Sequence, residues 1–111
     1  MIYTSYFSNY RNFPNGARLV SIARETPKNF NGEIFSKLAP DKNLLKSYKE
    51  GKVNSEMYTK IFNKYLSSLS KESIRSFLES PCTILLCYEK PDDFCHRHLV
   101  AEWLGEDVKE L

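Results

Sequence analysis

The sequence predicts a small Rossmann-like α/β domain, with a mostly parallel sheet of few strands and helices packed on it. Three observations carry this: two strand-like segments near the N-terminus, a helical middle, and a nearly unbroken apolar run over residues 82–88 followed by a last helical segment. Strand, strand, helices, strand, helix is the order in which a helical crossover joins parallel strands. At 111 residues the chain has the length of one domain, 1–111, so its functional groups should share a single core.

Residues 2–7 are aromatic and β-hydroxyl rich and run into the turn-like Ser8-Asn9, which predicts the first strand. After Asn15-Gly16, residues 17–23 predict a second strand, closed by Arg24 and Pro27. Residues 28–40 carry Asn, Gly and Pro without period and predict a long ordered loop. Asp41 is placed to cap a helix over 42–49 with Leu44, Leu45 and Tyr48 inward and Gly51 just past its end. Asn54 or Ser55 caps the next, in which Met57, Ile61, Tyr65 and Leu69 form an apolar stripe beside Tyr58, Phe62 and Leu66.

Ser70 opens a third helix, with Ile74, Phe77 and Leu78 as its apolar face, that ends before Pro81. The run 82–88 is bounded by Pro81 and by Lys90-Pro91-Asp92-Asp93, and such a continuous apolar segment predicts a central strand covered on both faces. Asp92 or Asp93 should then cap a final helix through Leu104, with Leu99, Val100, Trp103 and Leu104 inward and Gly105 as its stop.

Composition narrows the function classes. Apolar residues make up 41% and aromatics 14%, enough to bury a core without disulfides or structural metals. The net charge of +2 arises from 16 basic and 14 acidic residues dispersed along the chain, which gives no footprint of a dedicated nucleic-acid binder. The three cysteines, Cys82, Cys87 and Cys95, are odd in number and crowd together, a poor disulfide framework that suits a reducing compartment. The N-terminus has no basic leader, and no stretch approaches the roughly 18 apolar residues of a membrane span, so a cytoplasmic protein is expected.

In open α/β sheets ligands bind beyond the carboxyl ends of the strands, where Ser5, Arg24, Glu89 and the start of the last helix should gather. The first turn of that helix holds Cys95, His96 and Arg97, beside free backbone N–H groups that welcome an anion. A helix start and a guanidinium both lower a thiol's pKa, so Cys95 is the candidate nucleophile, with His96 as its base and Glu89 as a second acid or base. Arg24 and Arg97 are the candidate ligand-binding residues, joined by Ser5 and Cys87. Each has a plainer reading: Cys95 as a small buried packing residue with His96 and Arg97 capping or solvating the helix, Cys82 and Cys87 as packing in an apolar strand, Glu89 as half of an ion pair with Arg24 or Arg97.

A zinc site could recruit Cys87, Cys95, His96 and His98, but the spacing lacks the close ligand pairs that orient two donors from one turn, so no metal ligand is assigned. There is no Gly-rich phosphate loop, no closely paired redox cysteines and no serine nucleophile elbow, and the residues name no cofactor.

The segments 84–90 and 94–98, which hold Cys87, Glu89, Cys95, His96 and Arg97, together with Ala101-Glu102-Trp103-Leu104, resemble the signature of domain-of-unknown-function family 488. The opening 2–7, the strand 20–24 and Leu38-Ala39-Pro40 resemble its short form, so the likeness covers most of the chain. The resemblance implies a bacterial or phage protein and carries the family's signature positions onto Cys87, Glu89, Cys95, His96 and Arg97, with Arg24 as a further polar position. It carries no activity, and the short helical middle departs from the longer members.

The function expected is therefore an enzyme or sensor acting on a small anionic ligand, such as a nucleotide, at the Cys95-His96-Arg97 helix start. The alternative is a noncatalytic nucleic-acid or protein-binding accessory domain that uses the mixture of lysines and aromatics over residues 28–52, with a cysteine–histidine metal site as a third reading.

Overall fold

The computed structural model describes all residues, 1–111. Five strands, β1 (Ile2–Tyr6), β2 (Arg18–Ser21), β3 (Glu33–Ile34), β4 (Thr83–Cys87) and β5 (Lys109–Glu110), form one sheet in the order β3-β2-β4-β1-β5. Every pairing is parallel, as a Rossmann-like α/β domain requires. The helices are α1 (Lys42–Lys49), α2 (Ser55–Ser67), α3 (Lys71–Leu78) and α4 (His96–Leu104), with 3-10 turns at Phe7–Asn12 and Ser36–Leu38.

β4 occupies the middle of the sheet and all five of its residues are buried. Its register aligns Leu85 with Thr4 on one side and Val20 on the other. One face of the sheet, through Ile2, Val20, Ile22 and Leu85, enters the main core with residues of all four helices, among them Leu44, Phe62, Leu78 and Val100. Side chains alternate along a strand, so Cys87 shares the face of Leu85 but lies at the strand's end. There it forms a separate small cluster with Ala23 and Cys95, backed by Phe7.

Caps explain most helix starts. Asp41 accepts from the N–H groups of Asn43 and Leu44, Asn54 from that of Met57, and Ser70 from that of Ser73. Gly51, at φ +76°, follows α1 in the left-handed region where only glycine sits without strain. The final helix departs from expectation: Cys95, not Asp92 or Asp93, holds the N-cap position, and its side chain makes no capping bond.

Other corrections are local. β1 stops at Tyr6 because Phe7 opens a 3-10 turn, and β2 is limited to Arg18–Ser21. The long loop contains a strand, β3, paired with Val20 and Ser21, and the C-terminus adds β5 alongside Tyr3 and Thr4. On α2 the buried stripe is Tyr58, Phe62 and Leu66, while Met57, Ile61 and Tyr65 face solvent; Phe77 on α3 is likewise exposed. No helix is long and apolar enough to cross a membrane.

Candidate functional site

The ends of β2 and β4, the start of α4 and one face of α1 enclose a cleft of about 660 Å³ at the carboxyl edge of the sheet. β2 leads into Ala23, Arg24 and Glu25; β4 supplies Cys87, Tyr88 and Glu89; α4 supplies His96. Across from these, α1 presents Lys42, Lys46 and Lys49, residues at the spacing that shares one helical face. Arg24 and Glu89, 65 positions apart in the sequence, thus line one cavity.

Cys87 reaches the cleft, and behind it the Sγ atoms of Cys87 and Cys95 are in bonding contact, across a Cα–Cα distance of 7.7 Å. Both residues are buried, whereas Cys82 is free and lies apart, half-buried. This departs from the expectation of a poor disulfide framework, while Cys87 stays packed at the end of its strand. The fold brings together two sulfurs that seven intervening residues separate.

His96 completes the cluster, and the ligand atoms of Cys87, Cys95 and His96 all lie within 4.8 Å of one another. The His96 ring packs edge-on against Phe62, and its Nε2 lies 2.6 Å from the carbonyl oxygen of Ile22. A carbonyl only accepts, so Nε2 carries the proton and Nδ1 keeps its lone pair. That Nδ1 is 3.8 Å from Cys95 Sγ. Burial pushes the imidazole pKa down to about 4, further lowered by Arg97, His98 and Arg24 against the raising effect of the Ile22 bond. The ring is therefore neutral near pH 7.

Arg97 lies outside the cleft. Its side chain is fully buried. Nη1 donates to Cys87 Sγ (3.0 Å) and to the Glu89 carbonyl (2.6 Å), while Nε and Nη2 grip the two carboxylate oxygens of Glu110 at 3.1 and 2.8 Å. The guanidinium thus sits on Cys87, not on Cys95 as the helix-start reading had it. Burial raises the Glu110 pKa, but hydrogen bonds from Arg97 and Thr4 outweigh it and hold the carboxyl below its usual range.

Ser5 is also elsewhere. It is buried in β1, its Oγ accepts from Asn9, and it does not line the cleft. Arg24 does line it, anchored by Nε on the Pro40 carbonyl at 2.8 Å and not paired with Glu89. Glu89 lines the cleft but forms no ion pair with Arg24 or Arg97; its backbone carbonyl accepts from Arg97 instead. His98 does not join the cluster; its Nε2 is buried without a partner.

Two groups were not placed at this site by the sequence reading. Lys42, Lys46 and Lys49 were read only as part of the lysine–aromatic segment 28–52, and nothing in the sequence said which way their helical face pointed. Glu110 gave no signal, since its meeting with Arg97 depends on β5 pairing to β1.

The strand order and the sulfur–imidazole group beyond the strand ends define the class: a small parallel α/β domain with a cysteine–histidine cluster at the carboxyl edge of its sheet. Within that class the chain belongs to the DUF488 family, matching the model described as the active DUF488-N3 subclade over residues 2–108. No curated protein and no solved structure matches it.

Proposed function

We propose that the protein is an enzyme that binds a small phosphate-bearing ligand, of the nucleotide class, in the cleft and acts on it with Cys87, Cys95 and His96. One observation carries this reading: the same cavity is lined by the lysine row of α1 and by Cys87, Glu89 and His96. Its volume of about 660 Å³ falls in the range that encloses a small organic ligand. Four cations, Arg24, Lys42, Lys46 and Lys49, face three carboxylates, Glu25, Glu50 and Glu89, and the lysines sit together on one wall, so the anionic end of a ligand belongs there.

The groups opposite have distinct roles. His96, neutral and with its Nδ1 lone pair toward the sulfurs, is the base, and Arg97 Nη1 holds Cys87 Sγ in place by a hydrogen bond. Glu89 is the carboxylate in position to take or return a proton from the ligand. The subclade's description as active accords with catalysis. A reducing, cytoplasmic setting, in which the Cys87–Cys95 contact opens to two thiols, accords with it too.

The accessory nucleic-acid reading has less support. Phe30 and Phe35 pack against Phe7 and Phe77, and Tyr48 packs against Tyr58 and Phe94, which occupies the rings a single strand would stack on.

Thermal unfolding with inorganic phosphate and with nucleoside mono-, di- and triphosphates tests the proposal. A ligand at about a hundred times its Kd stabilises by roughly 2.7 kcal/mol, and the double variant Lys42→Glu, Lys46→Glu should abolish the shift. Absence of stabilisation by every one of these anions overturns it.

A further inference from the structure

We infer that Cys87, Cys95 and His96 form a three-ligand site for a divalent metal ion of the zinc class, with its fourth position open to the cleft. The three ligand atoms lie within 4.8 Å of one another and all three residues are buried. Two thiolates and an imidazole are a donor set that selects zinc over magnesium or calcium, which take oxygen ligands.

The sequence spacing argued against this, and the backbone removes the objection. Cys95 is extended, at φ −150° and ψ 141°, and His96 begins the helix, so neighbouring residues turn Sγ and Nδ1 toward the same point, 3.8 Å apart. With metal–sulfur and metal–nitrogen bonds of about 2.3 and 2.0 Å, that edge of a tetrahedron measures roughly 3.6 Å. The third donor comes from the end of β4. The Cα atoms of Cys87 and Cys95 are 7.7 Å apart, beyond the roughly 4.4–6.8 Å that a direct sulfur–sulfur bridge spans. In the reduced protein the two sulfurs part, and an ion bound to both, with its sulfur–sulfur edge of about 3.8 Å, suits that wider backbone spacing.

The surroundings are those of metal ligands. A ligating histidine donates its other ring N–H to a fixed acceptor, which sets the tautomer, and His96 Nε2 has the Ile22 carbonyl at 2.6 Å. Arg97 Nη1 donates to Cys87 Sγ at 3.0 Å, the kind of outer hydrogen bond that orients a ligating atom. Loading the site releases two thiol protons to solvent, one from each cysteine, and two thiolates balance the charge of a divalent ion.

The open position follows from which ligands reach the cavity. Cys87 and His96 line the cleft, with the lysines of α1 on its far wall. With the ion held there His96 would serve as a ligand and no longer as the base. The ion would lower the pKa of a bound water facing the ligand and Glu89 would take its proton, so the reaction class is metal-assisted hydrolysis, in which water adds to the ligand's electrophilic centre and the bond to the leaving group breaks. The choice of an anionic substrate rests on the function proposed above; the metal site does not.

Anaerobic titration of the reduced full-length protein with cobalt(II), then zinc, is the experiment. Expected are one equivalent per chain, the thiolate-to-cobalt charge-transfer band with the intense d–d bands of a tetrahedral centre, and displacement by zinc. Cys87→Ser and Cys95→Ser should each weaken binding at least about tenfold, and Cys82→Ser should match the parent. A second measurement needs no variant: zinc should shield Cys87 and Cys95, but not Cys82, from alkylation. Lack of cobalt uptake by the reduced protein, or equal alkylation of Cys87 and Cys95 with and without zinc, overturns the site. The Lys42→Glu, Lys46→Glu protein separates the two proposals. Retained metal with no nucleotide shift in either protein ends the anion reading alone, and a nucleotide shift without metal uptake ends the metal site alone.

Discussion

The guanidinium of Arg97 directs all its donors inward, to Cys87 Sγ, the Glu89 carbonyl and both carboxylate oxygens of Glu110, with the Tyr6 ring 6.0 Å away. Replacing it by methionine keeps much of the volume but leaves the Glu110 carboxylate without its counter-charge. The expected cost is about 3 kcal/mol, read as a lower urea midpoint, because breaking such a pair leaves the remaining charge uncompensated. Arg97→Lys should recover only a minor part, since one ammonium cannot grip a carboxylate and a sulfur from a planar fork. A loss below about 0.5 kcal/mol in Arg97→Met, the size of an ordinary surface change, would mean that the pair is not a structural tie. Sequence alone singled out Arg97 but gave it to a ligand, because a guanidinium in a helix's first turn looks exposed until the strand that covers it is known.

On α2 the two apolar stripes seen in the sequence have different fates. Phe62 is 1% exposed and braces the His96 ring, while Ile61, one residue earlier, is 46% exposed. Phe62→Ala should therefore destabilise by about 3–5 kcal/mol, against less than about 0.5 for Ile61→Ala. Guanidinium titrations of the two variants check this, and equal losses would reverse the orientation of the helix. Periodicity revealed that α2 is a helix, but when apolar residues occupy adjacent positions it does not settle which stripe is buried. The same contrast divides the strands. β4 was readable because five consecutive buried residues leave an apolar run. The two-residue β3 and β5 were not, since all four of their residues are exposed and only pairing defines them.

Across the molecule the sheet gathers the cleft residues at one edge, which the strand order implied, while the lysine wall depends on how α1 docks. The pH response of the whole fold follows from Glu110. Its carboxyl sits below the usual range when folded, so the native state binds fewer protons than the unfolded chain in the acid region. The stability it contributes is complete above the ordinary carboxylate pKa and is lost as pH falls through the lower folded value. Glu110→Gln should flatten that limb of a stability profile measured by urea unfolding at successive pH values, and an unchanged limb would assign acid sensitivity to other groups. The same carboxylate gives the chain's last strand a reach beyond its two residues. Glu110 is held by Thr4 at 2.6 Å and holds Arg97, which holds Cys87. Edits at residues 109–111, such as a truncation or a fused tag that displaces β5, would thus act as a remote control on the sulfur chemistry, retuning it while every residue of the cleft wall stays in place.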